Sequence, residues 1–150
     1  MFIEPVEFEN KYGVKPYCYV IDIDGTVAEK GNRNAFDWKR VGEDKEKPEV
    51  VQTVLDLYSA NNEIIFCSGR DEVCREETKK WLHKTFIGMD FKLYMRPQGD
   101  MRPDWIVKEE MWREISKDYY IVSLIEDRDQ VSRRARALGL TVMQVAYGSF

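Results

Sequence analysis

Five short runs of apolar and β-branched residues punctuate the chain: YCYVID at 17–22, EIIFC at 63–67, FKLYM at 91–95, YYIVSLI at 119–125 and LTVMQVA at 140–146. Runs of this length, bounded by polar residues, are what buried strands look like. Between them the apolar spacing changes to that of helices. Over 49–60, Val50, Val51, Val54, Leu55 and Tyr58 fall on one face. The segments 71–85, 104–117 and 128–138 are charged and amphipathic, with Asp71 and Asp104 at expected helix N-termini and Gly139 at an expected C-cap. Strands alternating with helices of this length call for crossover connections and a mostly parallel sheet covered on both faces. The expected fold is therefore a three-layer α/β/α, Rossmann-like single domain over 1–150. It has five strands, an N-terminal extension over 1–16, and no separate cap domain, because neither 27–48 nor 71–103 holds an independent folding unit.

In such sheets ligands bind beyond the carboxyl ends of the strands, where the strand order reverses. The polar residues following each apolar run should therefore form one chemical site. They are Asp22, Asp24, Gly25 and Thr26 after the first run, then Ser68, Gly69 and Arg70 after the second. Arg96 follows the third, and Glu126, Asp127, Arg128 and Asp129 follow the fourth. Carboxylates, a hydroxyl, glycines and arginines together make an inventory for magnesium and phosphate. Burying unpaired carboxylates costs several kcal/mol, so a strand that closes on Asp22 and Asp24 needs a compensating cation or a chemical role. The two residues share a side if the strand stays extended. Gly25 lets the backbone pass close, and its amide is expected to point at a phosphate oxygen.

Composition narrows the surroundings. At 150 residues, 43% hydrophobic and 33% charged, the chain has the make-up of a globular domain with a proper core. No apolar run approaches the roughly 20 residues of a membrane span, and MFIEPVEFEN has no signal-segment pattern, so no membrane partner and a cytoplasmic location are expected. Cys18, Cys67 and Cys74 show no CxxC spacing and read as buried free thiols. The one histidine, His83, reads as an ordinary helical residue, and a zinc site is unsupported. A net charge of −4 argues against coating nucleic acid with the whole surface but leaves room for a local basic patch.

DIDGT, CSGR, Lys108 opening a later helix, and EDRD resemble the four motifs of the haloacid dehalogenase-like phosphohydrolases. Within that superfamily, DIDGTVAEKGNRNAFD, RPQGDMRPDWIVKEEMW, EDRDQV and QVAYGSF are similar in order and spacing to the 3′-phosphatase domain of phage polynucleotide kinase/phosphatase, over about 17–150. The resemblance implies a Mg²⁺-dependent enzyme that removes 3′-phosphates from DNA or RNA ends. Asp22 would be the nucleophile that forms an aspartyl-phosphate, and Asp24 the general acid and then base. Ser68 would bond a phosphoryl oxygen, and Lys108 would offset charge. Asp22, the Asp24 carbonyl and Asp127 would hold the metal. Gly25, Thr26, Arg33, Gly69, Arg70 and Asp104 would bind or support the substrate, with the arginines on the phosphate or adjoining backbone and Asp104 orienting Lys108. Glu126 stands where the phage family has aspartate, with Asp129 as the alternative carboxylate.

Without a lid the site should be open, which suits a polymer end. Arg33, Lys39, Arg40, Arg96 and Arg102 are candidates for neighbouring phosphates, and Trp38 and Trp105 for either base stacking or core packing. No GxxxxGK[ST] loop occurs, so any kinase is expected on a separate chain, and a separate kinase or ligase is the expected partner besides nucleic-acid 3′ ends. Two other readings stay open: a phosphatase for a nucleotide or small phosphorylated metabolite, and a non-catalytic phosphate-binding module.

Overall fold

The computed structural model describes residues 15–29 and 31–150; most of the expected N-terminal extension lies outside the described residues. Strand β1 (Tyr17–Ile21) is followed by the two-residue strands β2 (Ala28–Glu29) and β3 (Lys45–Glu46). Then come helix α1 (Pro48–Ser59), β4 (Glu63–Asp71), α2 (Arg75–Thr85), β5 (Lys92–Arg96), α3 (Asp104–Ser116), β6 (Tyr120–Arg128), α4 (Asp129–Ala137) and β7 (Val142–Gly148). The main sheet has the order β5-β4-β1-β6-β7, with every neighbouring pair parallel. The chain builds outward from β1 through β4 to β5, then returns past β1 to lay down β6 and β7. The reversal falls between β1 and β6, so their carboxyl ends form the crevice where a ligand is expected.

Each helix follows from its sequence. Pro48 occupies the first turn of α1, where its missing N–H costs nothing, and Val50, Val51 and Val54 are buried. Helix α4 ends at Gly139, whose φ of +90° suits glycine. There the amide of Leu140 donates to the carbonyl of Ala135 and that of Gly139 to Arg136, which closes the helix end. Asp71 caps a 3₁₀ turn, Glu72–Cys74, by accepting from the Val73 amide at 2.8 Å. Asp104 begins α3 but makes no capping bond. Its carboxylate is drawn to nearby cations instead.

Two cores sandwich the sheet. Val107, Met111, Trp112, Ile115 and Val131 of α3 and α4 pack on Cys18, Val20, Ile65 and Leu124. On the other face Val51, Val54, Trp81 and Leu82 of α1 and α2 meet Ile21, Ile64, Phe66 and Ile125. All three cysteines are free and buried. Strands β2 and β3 pair antiparallel and carry a flap that includes a 3₁₀ turn at Trp38–Glu43. A third cluster, Val41, Cys74 and Met95 with Trp38 against it, seats that flap beside the sheet edge. The 27–48 gap, expected to hold no independent folding unit, contains this small hairpin flap. Among the described residues no helix is long and apolar enough to cross a membrane.

Candidate active site

At the end of β1 the pairing continues one residue further, with the Asp22 amide donating to the Ile125 carbonyl at 3.0 Å. The chain then turns sharply. The Ile23 carbonyl accepts from the amides of Thr26, Val27 and Ala28, and the Ile23 side chain enters the core. Asp22 and Asp24, on either side of it, face the crevice together. Gly25 has a φ of +81°, and a Cβ there would run into the Asp127 carboxylate. The turn therefore requires glycine. The Gly25 amide is not directed at the crevice, however; it donates to the Ala28 carbonyl at 2.8 Å. The expected role of that amide gives way to closing the turn.

Strand β4 runs four residues and β6 three residues beyond their apolar runs, past register shifts that let polar residues extend each strand. This extension brings Glu126 and Asp127 to Asp22. One carboxylate oxygen from each of the three lies within 4.8 Å of the others, all buried. Lys108, 2% exposed, reaches them from α3: its Nζ donates to Asp22 at 2.6 Å and to Glu126 at 2.8 Å, with Asp104 at 3.6 Å. Thr26 Oγ1 donates to the other Asp22 oxygen at 2.8 Å. Burial, followed by the charge of Glu126, pushes the Asp22 carboxyl up to about 7. Burial and the charge of Asp22 push Asp127 up to about 6, and burial raises Glu126. Burial works against the charged form of Lys108, yet Asp104, Asp22 and Glu126 outweigh it and hold its pKa well above the ordinary value. One lysine does not neutralise this set. Hard, closely spaced oxygen donors with surplus negative charge fit a divalent cation. Asp22, Glu126 and Asp127 are the side chains that could hold it. Asp129 accepts from Gln144 Nε2 at 2.5 Å and lies outside the cluster.

The Asp24 carboxylate belongs to a different network. Arg70 grips it with Nε at 2.9 Å and Nη2 at 2.8 Å, and Arg33 Nη2 adds a contact at 3.4 Å. Both arginines are tied from behind by Asp44, which accepts from Arg33 at 2.7 and 2.8 Å and from Arg70 at 2.8 Å. Thr78 takes the remaining Arg70 nitrogen at 3.1 Å. Arg33 and Arg70 both line the cleft, but donors expected to meet a phosphate are directed at Asp24 and Asp44. Asp44 itself is fixed through its carbonyl, which accepts from Trp81 Nε1 at 2.8 Å. Sequence reasoning missed Asp44: within GEDKEKPE nothing distinguishes it from its exposed acidic neighbours. Its only sequence signal is its position between the two arginines, which has no fixed spacing.

Asp104 collects Lys108, Arg96 at 3.3 Å and Arg128 at 3.2 Å. Burial alone would raise its pKa, but the charges of Lys108 and Arg128 win and lower it. A Cβ on Gly69 would clash with the Asp104 carboxylate, so that glycine makes room for the network. Arg96 also donates to the carbonyls of Gly69, Asp100 and Arg102. Arg102 pairs with Asp100 and Glu110, and Arg40 with Glu43. Of the cations expected to await neighbouring phosphates, these three and Arg33 are engaged within the protein. Ser68 and Thr26 are fully buried behind the crevice wall, where the Ser68 hydroxyl accepts the Arg70 amide at 3.1 Å. Trp105 packs against the core under Arg134, whereas Trp38 lines the cleft. His83 stacks near Phe91 on the surface of α2.

The cleft above these groups holds about 780 Å³. Its floor carries Asp22, Glu126 and Asp127, and its rim carries Phe36, Trp38, Met101 and Phe150. The family model of the polynucleotide kinase PNKP phosphatase domain matches residues 16–150. A protein of Autographa californica nuclear polyhedrosis virus, described as a bifunctional polynucleotide kinase/RNA ligase, is 34% identical over 121 residues, covering 79% of this chain and 17% of its own length. Among solved structures, a chain of the Pnkp1/Rnl/Hen1 RNA repair complex superposes with a TM-score of 0.87 at 29% identity, covering all of this chain and 47% of that one. A second structure of a Pnkp1/Rnl/Hen1 complex gives 0.85 at 30% identity, over 92% of this chain and 48% of that one. The class C acid phosphatase of Bacillus anthracis with tungstate bound gives 0.69 at 16% identity, over 93% of this chain and 70% of that one, a likeness of fold. The chain spans about half the length of the repair-complex chains and a smaller part of the viral protein.

Proposed function

The chain belongs to the family of polynucleotide kinase phosphatase domains and is a phosphoric monoester hydrolase; on that premise we propose that it removes 3′-phosphates from RNA or DNA ends through a phosphorylated Asp22. One observation carries this reading. Asp22 lies buried on the cleft floor with both carboxylate oxygens held, by Lys108 and Thr26, while Asp24 is clamped beside it at the more exposed level. A fixed carboxylate below and a second one above are what attack on phosphorus and protonation of its leaving oxygen require.

In the first step an Asp22 oxygen bonds to phosphorus as the bond from phosphorus to O3′ breaks, and Asp24 gives its proton to O3′. In the second, Asp24 takes a proton from water, the water oxygen bonds to phosphorus, and Asp22 leaves as a carboxylate with release of inorganic phosphate. Arg33 and Arg70 hold Asp24 in place for both transfers, and Asp44 holds the arginines. Lys108 offsets charge on Asp22, and Asp104 keeps Lys108 oriented from one helical turn earlier. Ser68 and Thr26 support the loops that carry these groups from behind. Asp22, Asp127 and the Asp24 carbonyl, with Glu126 close to them, would hold Mg²⁺, which would supply charge neutralisation for the phosphoryl group. In the cell a ligase, on this polypeptide or another, would use the 3′-hydroxyl that results, and a kinase would prepare the opposing 5′ end.

Oligonucleotides bearing a 3′-phosphate, a 5′-phosphate or a 2′,3′-cyclic phosphate, compared with a 3′-mononucleotide, test this reading. Phosphate should be released from the 3′-phosphorylated ends in the presence of Mg²⁺ and not after chelation. A strong preference for the 5′-phosphate, or undiminished turnover in chelator, would refute it.

A further inference from the structure

In the cleft that has the acidic floor, the flap presents Phe36, a residue 75% exposed. It is not loosely placed. The Phe36 amide donates to Asn34 Oδ1 at 2.9 Å, and Trp38 meets the Phe36 ring edge-on, at 6.0 Å between centroids and 89° between planes. Trp38 is in turn seated against the small core of Val41, Cys74 and Met95. Met101, 87% exposed, belongs to the same cleft. Phe36 and Trp38 of the flap, with Met101 from the loop before α3, therefore give the cleft an exposed apolar edge.

The charges of the cleft point the same way. Eight carboxylates line it against five arginines. Arg33 and Arg70 are held by Asp24 and Asp44, Arg102 by Asp100 and Glu110, and Arg96 and Arg128 both face Asp104. A chain of backbone phosphates finds little positive charge to neutralise, whereas a π-face finds an aromatic platform.

We propose that Phe36, braced by Trp38, is a stacking platform for the 3′-terminal nucleobase of the substrate, so that the enzyme recognises the end of a strand by stacking rather than by backbone charge. This rests on the 3′-phosphatase reading above and names what that site binds besides phosphate. Stacking of this kind is indifferent to which base is present, and the platform would accept all four.

The test compares two oligonucleotides identical except at the end, one with a base on the 3′-phosphorylated nucleotide and one abasic there. For the wild-type protein kcat/KM should favour the base-bearing end by about tenfold, in line with the free energy of one aromatic–base contact. In Phe36→Ala that preference should fall to about one, and in Phe36→Trp it should return. Raising salt should lower kcat/KM on the base-bearing oligomer with a log–log slope of magnitude below about 1, fewer than two phosphate contacts in the single-strand relation. Wild-type turnover of both ends at the same rate would overturn the platform while leaving the 3′-phosphatase reading intact. So would an unchanged preference in Phe36→Ala. Failure to hydrolyse either oligomer, with β-glycerophosphate still hydrolysed, would overturn both.

Discussion

Asp22→Asn is expected to lower kcat on a 3′-phosphorylated oligonucleotide by at least about 10⁴-fold, as removing a covalent nucleophile does. In metal-free buffer near pH 8 the same variant should melt no lower than the wild type. The first result follows from the role of Asp22 as nucleophile. The second follows from its surroundings. A carboxylate whose folded pKa is raised, here from 3.8 to about 7, binds its proton more tightly folded than unfolded. Stability is then fully present below the unfolded pKa and is lost as pH rises toward and through 7. Asparagine cannot ionise and escapes that loss, while Lys108 keeps Glu126 and Asp104 as partners. Thermal melts of both proteins from pH 5 to 8, without metal, check the sign: the wild type should fall with pH more steeply than the variant. Mg²⁺ should raise the wild-type melting temperature more at pH 8 than at pH 5, because the metal replaces protons on the cluster. A variant that melts far below the wild type at pH 8 would contradict this electrostatic account.

Lys108→Met should have the larger effect on stability. The ammonium is buried and touches Asp22 and Glu126 directly. Methionine keeps the volume but leaves those carboxylates unpaired in a water-poor site, a loss of about 3–5 kcal/mol for a broken buried pair. Denaturant unfolding at pH 8 without metal should show it, and lowering the pH toward 5 should recover part of it as the carboxylates take up protons. Turnover should be abolished at every pH. Lys108→Met with wild-type stability at pH 8 would mean that the lysine does not balance the cluster.

The features legible in the sequence were those set by local pattern. Five apolar runs placed five strands, and the helical face of Val50, Val51 and Val54 was read from spacing alone. Asp22 and Asp24 were visible because two carboxylates ending a core strand are hard to explain otherwise. The partners of the charged groups were not legible. Arg33 and Arg70 looked like phosphate ligands by residue type, yet Asp44, separated from them by 11 and 26 positions, claims them both. Such pairing is decided by the folding of the flap against α2, which leaves no periodic trace. The Gly25 amide was assigned outward because a glycine permits close approach, but the tight turn needed that donor for itself. Glu126 looked too long beside Asp129. Its extra methylene is absorbed where its Oε1 accepts the amides of Asp127 and Arg128, at 3.1 and 3.2 Å, while Oε2 meets Lys108.

Rapid acid-quenched single turnover of the wild-type protein with an oligonucleotide carrying a radiolabelled 3′-phosphate, sampled before a full turnover is complete, interrogates Asp22 most directly. The label should travel to the protein and map to the peptide containing Asp22, and be discharged by hydroxylamine as an acyl phosphate is. Label that never leaves the oligonucleotide except as free phosphate, or that maps to another residue, would contradict covalent catalysis at Asp22.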